Sequence, residues 1–157
     1  MRIHETTTYP APLADVVDAL ISRELAEARA RAFKAEQPRH TVDGLTATTV
    51  VPIPADQVPD FARPFLKNTS EITITQEWDG RGPAKAHAPF NVNVGKLPVV
   101  ITLAQDLVAD GETTRCTFSG ELKVKIPIVG GRVEKKIAEQ LTKLLRKDTA
   151  IVTKIIS

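Results

Sequence analysis

The chain has 157 residues, 42% hydrophobic and 25% charged, with a net charge of +2 and one cysteine. That length suits one domain spanning residues 1–157 with a sizeable core, and the composition excludes disorder and fibres. So weak a basic balance does not imply nucleic acid as a partner, and the lone Cys116 excludes an internal disulfide.

The opening MRIHETTTYPAP lacks the apolar core of a secretory signal, and no run reaches the roughly 18 apolar residues of a membrane span. A cytoplasmic protein without stable membrane insertion is expected, monomeric or dimeric. Arg2 to Tyr9 is rich in threonine and reads as a strand, which Pro10 and Pro12 stop. Leu13, Val16, Val17, Leu20 and Ile21 then recur at helical spacing. Ser22 offers a cap for a second helical stretch, RELAEARARAFKAEQ, ended by Pro38. His40 to Asp43 and Leu45 to Val51 flank Gly44 as two short strands around a tight turn. Pro52, Pro54, Pro59 and Pro64 make the next stretch a crossing loop, with one helical turn near Asp60 to Leu66.

A meander follows. Thr69 to Asp79 alternates, with Ile72, Ile74, Gln76 and Trp78 on one face. After the turn DGRGP, the residues Ala84, Ala86, Ala88, Phe90, Val92 and Val94 share a face opposite Lys85, His87, Asn91 and Asn93. Leu97 to Val108 is another strand, Asp110-Gly111 a hairpin turn, and Arg115 to Ile126 the last strand, with Cys116, Phe118, Leu122 and Val124 on its apolar face. From Arg132 to about Ile155 runs the longest helix, with Val133, Ile137, Leu141, Leu144, Ile151, Val152 and Ile155 in one stripe. Asp148 interrupts that stripe. An antiparallel sheet with one apolar face needs cover, and this amphipathic helix supplies it.

The residues exclude several chemistries. In KIPIVGGRVEKK the glycine pair lacks the Lys-Ser/Thr of a P-loop and the third glycine of a dinucleotide fingerprint, and Glu134 would repel a phosphate. The pair is expected to turn a corner, since glycine tolerates unusual backbone angles. His4, His40 and His87 have no metal-ligand spacing, so no metal site is expected, and no cofactor motif is present. Cys116 sits among apolar neighbours, as a core residue does. The polar side of the last helix carries Arg132, Lys135, Lys136, Lys143, Arg146, Lys147 and Lys154, which reads as a solvated face or as a surface for anionic membranes.

The order of elements resembles the α+β helix-grip fold of the START-like superfamily, also called SRPBCC or birch-allergen-like. In that fold a curved seven-stranded antiparallel sheet wraps a long C-terminal helix, with two short helices after strand 1. TTTYPAPLADVVDAL is similar to its first strand and short helix, and GELKVKIPIVGGRVEKKIAEQL to its last strand, glycine turn and helix start. VPIPADQVPDFARPFLKNTSEITITQEW resembles the proline-rich loop and Trp-ending strand of an actinobacterial START-like family of unknown function. The resemblance spans nearly the whole chain and rests on structural motifs.

It implies a cavity between sheet and helix for a small hydrophobic molecule such as a lipid, sterol or polyketide. The small side chains of Ala84, Ala86 and Ala88 leave space there, unless Phe61, Phe65 or Trp78 fills it. The expected lining is Gln76, Trp78, Ala86, Phe90, Leu103, Phe118, Leu122, Leu141, Leu144 and Asp148, with Phe61, Phe65 and Leu66 as a lid. Asp148 is the candidate catalytic residue. It orients a polar ligand group or acts as an acid or base if buried, or it is solvated if the helix rotates or ends early. A non-enzymatic binder is the leading expectation; a cyclase or hydratase using Asp148, and a cavity-less interaction module, are the alternatives.

Overall fold

Local chemistry sets each element. The computed structural model describes all residues except 33, 36, 54–55, 57–59, 61–62, 66–69, 96 and 129, and only the backbone of 53, 65 and 70. Strand β1 (Arg2–Tyr9) ends at the two prolines, and α1 (Leu13–Leu20) starts with Pro12 at its N-cap. Ser22 caps α2 (Arg23–Ala32): its Oγ accepts from the Leu25 N–H at 3.1 Å. That helix is shorter than its helix-forming sequence suggests. Lys34 adopts a left-handed φ of 54°, the Ala35 N–H bonds the Ala30 carbonyl at 2.8 Å, and this left-handed cap closes the helix before Pro38.

Strands β2 (Arg39–Asp43), β3 (Thr46–Ile53), β4 (Ser70–Glu77), β5 (Lys85–Asn93), β6 (Val99–Asp110) and β7 (Thr113–Val124) complete one antiparallel sheet. Its order is β1-β7-β6-β5-β4-β3-β2, so the first strand sits beside the last. Helix α3 (Gly130–Ile156) packs against β1 and β7 and against α1 and α2. This is the helix-grip architecture. Within the proline-rich stretch the described part includes a 3-10 turn, Arg63–Phe65.

Two sequence expectations change in physical detail. The glycine pair does turn the corner into α3, yet neither glycine has a positive φ; it is Ile128, just before them, that does, at 73°. Gly130 is needed for closeness instead, because a Cβ there would stand 2.9 Å from the Val124 carbonyl oxygen. The α3 stripe is also rotated. Ala138, Leu145 and Val152, seven residues apart, are its buried line, while Leu144 is 38% exposed. The residues Ile137, Leu141, Leu144 and Asp148 therefore form a neighbouring line beside the packed one.

The alanine row is not the empty space it suggests. Ala86 and Ala88 are buried in the core, whereas Ala84 is exposed. Gln76 on β4 reaches over the intervening β5 to Gln105 on β6, its Nε2 donating to Oε1 at 2.7 Å. Gln105 is the cross-strand partner of Ala88 and Gln76 that of Phe90, so the amide bridge crosses where the small Ala88 leaves room. Gln105 then donates to Cys116 Sγ at 3.3 Å. Leucine at Ala88 should overpack this crossing and lower stability by about 1–3 kcal/mol in urea denaturation, while Ala84→Leu should change it by less than about 0.5 kcal/mol.

Candidate functional site

Because α3 packs toward β1 and β7, no described helix lies directly on the middle of the sheet. A cavity of about 200 Å³ occupies that gap. Its sheet wall is Val51, Ile72, Ile74, Phe90, Val92, Val94 and Ile101. Ile137, Gln140, Leu141, Leu144 and Leu145 of α3 form the opposite wall. Among the described residues, Arg29 of α2 and Asp148 of α3 bring the only charges in a lining that is otherwise almost wholly apolar. Leu144 stands partly out of the protein beside the opening. Phe90 is braced from behind by Phe118, whose ring meets it edge-on at 6.1 Å and 82°.

Asp148 resolves its misfit by pairing. Arg29 donates through Nε to Oδ1 at 2.5 Å and through Nη2 to Oδ2 at 2.8 Å, a two-pronged contact between α2 and α3. Arg29 is only 6% exposed, so the guanidinium is held away from water with its charge matched. Burial disfavours its charged form, but Asp148 outweighs this and raises the Arg29 pKa overall. Nη1, on the other edge of the guanidinium, has no hydrogen-bond partner among the described residues.

Beside this pair lies Tyr9, wholly buried, with its hydroxyl making no hydrogen bond of good geometry. Cys116, Asp148, Arg29 and Thr149 are the side chains that act on its hydroxyl. Burial foremost, then the acidic neighbours, hold the phenol protonated well above the usual tyrosine range. Burial likewise pushes the Cys116 thiol up to about 12 from 9.0, against the opposing hydrogen bond from Gln105. The sign of the pH effect follows. Below pH 9 the thiol is protonated folded or unfolded; between 9 and about 12 the unfolded chain releases a proton that the fold retains, so stability falls. The unfolding free energy from urea denaturation at pH 8 to 11 should decline above 9, by up to about 1.4 kcal/mol per pH unit from this one group. Tyr9 should add to the decline above pH 10.

Of the residues expected to line a cavity, Phe90, Leu141, Leu144 and Asp148 meet at this one. Gln76, Trp78, Ala86, Leu103 and Leu122 do not; they are buried in the packed part of the core, where the glutamine bridge and its neighbours fill the space. Phe118 is part of a separate polar cleft of about 300 Å³ between β1 and α3, with Glu5, Thr7, Arg146 and Thr149. Phe61 and Leu66, expected as a lid, lie outside the described residues, and so does the Phe65 side chain. Arg29 escapes sequence reasoning because a charged residue in a helix-forming stretch reads as solvent-facing. Its signal is position: it follows Leu25 by four and precedes Ala30, on the buried face of α2.

The histidines stay apart from the cavity. His40 is held by Thr49 Oγ1 and the Ile21 carbonyl, each at 2.8 Å, and His87 contacts Asp106 on the outer face. Among the described residues no three His, Cys, Asp or Glu side chains group as a metal ion requires. No described helix is long and apolar enough to cross a membrane.

A family model described as a protein of unknown function, DUF2505, matches residues 4–156. None of the curated proteins matches the chain. Among solved structures, the chain is similar to the protein TTHA0849 from Thermus thermophilus, with a TM-score of 0.63 and 18% identity over 100% of both chains. It is similar to a START superfamily protein from Mycobacterium smegmatis, with a TM-score of 0.56 and 12% identity over 98% of each chain. A norcoclaurine synthase from Thalictrum flavum, solved in complex with dopamine and hydroxybenzaldehyde, matches with a TM-score of 0.56 and 16% identity, over 99% of this chain and 86% of that one. These likenesses establish the START-like fold.

Proposed function

The chain belongs to the DUF2505 family, whose description carries no activity, and from the geometry we propose that it binds a small hydrophobic molecule between the middle of the sheet and α3. One observation carries this reading: the cavity is walled on both sides by apolar side chains, and its described lining holds one ion pair, Arg29 with Asp148. Its size sets the scale of the guest. An apolar cavity of about 150 Å³ takes benzene. About 200 Å³ therefore takes one substituted ring or a short chain, and a larger lipid, sterol or polyketide would enter by one end and leave the rest beside Leu144. The norcoclaurine synthase of this fold was solved with dopamine and hydroxybenzaldehyde, both single-ring molecules.

In this reading Asp148 is a positioning residue. Both of its oxygens are engaged by Arg29, which leaves it to orient the guanidinium rather than to move protons. No covalent chemistry is assigned to the site. Isothermal titration with ethylbenzene tests the reading: saturable binding of one molecule per chain is expected, lost in Ile74→Trp, which places an indole inside the wall. Absence of binding by ethylbenzene and by acetophenone alike would contradict it.

A further inference from the structure

We infer that the molecule bound in the cavity carries a neutral carbonyl oxygen at the end that meets α2, and that Arg29 Nη1 is the group that receives it. This rests on the cavity reading above and adds the ligand's chemical class. Asp148 occupies Nε and Nη2, so the guanidinium is locked in one orientation; Arg29 contributes to the cavity lining, and its Nη1, with two N–H donors, makes no hydrogen bond to a described residue. A donor so placed in apolar surroundings gains most from an acceptor, since water is excluded from the alternatives.

Charge decides which acceptor. Arg29 is already neutralised by Asp148, and the described lining holds no other cation. A carboxylate would add a net negative charge to an apolar site, close to the Asp148 carboxylate, and its desolvation would be left uncompensated. A ketone, aldehyde or ester oxygen accepts the same hydrogen bonds at no such penalty. An alkyl or aryl group with no acceptor fills the cavity and leaves Nη1 unpaired.

Matched single-ring probes separate these cases. Acetophenone should bind at least about tenfold more tightly than ethylbenzene, the scale of one hydrogen bond to a charged donor, and benzoate should bind no better than ethylbenzene. In the doubly apolar variant Arg29→Met/Asp148→Leu the preference for acetophenone should vanish while ethylbenzene still binds. The wild type gives an independent readout should that variant fail to fold: the Arg29 guanidinium ¹⁵N and ¹H resonances should shift with acetophenone and stay in place with ethylbenzene. Equal affinity of the two with unshifted guanidinium signals would overturn the carbonyl assignment and leave the cavity reading standing. Tightest binding by benzoate would overturn the neutral-ligand part. Failure of every probe to bind would overturn the cavity reading itself, and this inference with it.

Discussion

Gly120→Ala should cost about 4 kcal/mol or more, enough to leave little folded protein, because the backbone of β7 at this point touches that of β6. Gly120 has a φ of 155°, in the region that favours glycine, and a Cβ there would fall 2.0 Å from the Thr102 carbonyl oxygen and 2.8 Å from the Leu103 Cα. Both obstacles are main chain. They cannot yield without breaking the β6–β7 ladder, in which Gly120 pairs with Leu103. Glycine inside a strand marks a bend or a close backbone approach, and here it lies in the strand that also pairs with β1 and packs on α3. Gly131→Ala is the matched control. It has nothing within 4 Å of the added carbon and no positive φ, so it should be neutral or stabilising by up to about 1 kcal/mol. Urea denaturation of the two variants checks the pair, and a Gly120→Ala protein as stable as Gly131→Ala would refute the close approach.

Asp148→Ala should destabilise by about 3–5 kcal/mol, since it leaves the Arg29 guanidinium buried without its counter-charge. Arg29→Met should lose a similar amount by stranding the Asp148 carboxylate in the lining of an apolar cavity. The double change Arg29→Met/Asp148→Leu should then cost much less than the two single changes together. Replacing a buried pair with apolar residues of similar volume removes two desolvation penalties along with the attraction. The pair ties α2 to α3 through two residues 119 positions apart in sequence, so the cycle also reports how much that junction contributes. Additive single losses would mean that the two groups act independently, contrary to their geometry.

The architecture is readable in the sequence because its signals are periodic. Alternation in β4 to β7 and the long amphipathic run of α3 each report one buried face, and an antiparallel succession ending in such a helix leaves few ways to cover the sheet. The site is only partly readable. Asp148 stands out as a charge in an apolar stripe, but its partner lies in α2, and no local pattern links Arg29 to a residue so distant. The alanine row points to the wrong part of the sheet, because a small side chain on a strand leaves room equally for a ligand or for a neighbour's long side chain. Gln76 and Gln105 take that room as a pair, which only their registers across β5 reveal. The rotation of α3 is hidden for a related reason. Its polar and apolar positions allow several buried lines, and packing against β1 and β7 selects Ala138, Leu145 and Val152.

Methyl-resolved NMR of the wild-type protein during titration with acetophenone tests the cavity most directly. The methyl signals of Ile72, Ile74, Val92, Ile101, Leu141 and Leu144 should shift together and saturate at one equivalent, while those of Val16, Val17, Leu107 and Leu122 in the packed core should stay in place. Shifts confined to the packed core or scattered over the surface, or none at all, would contradict a ligand site between the sheet and α3.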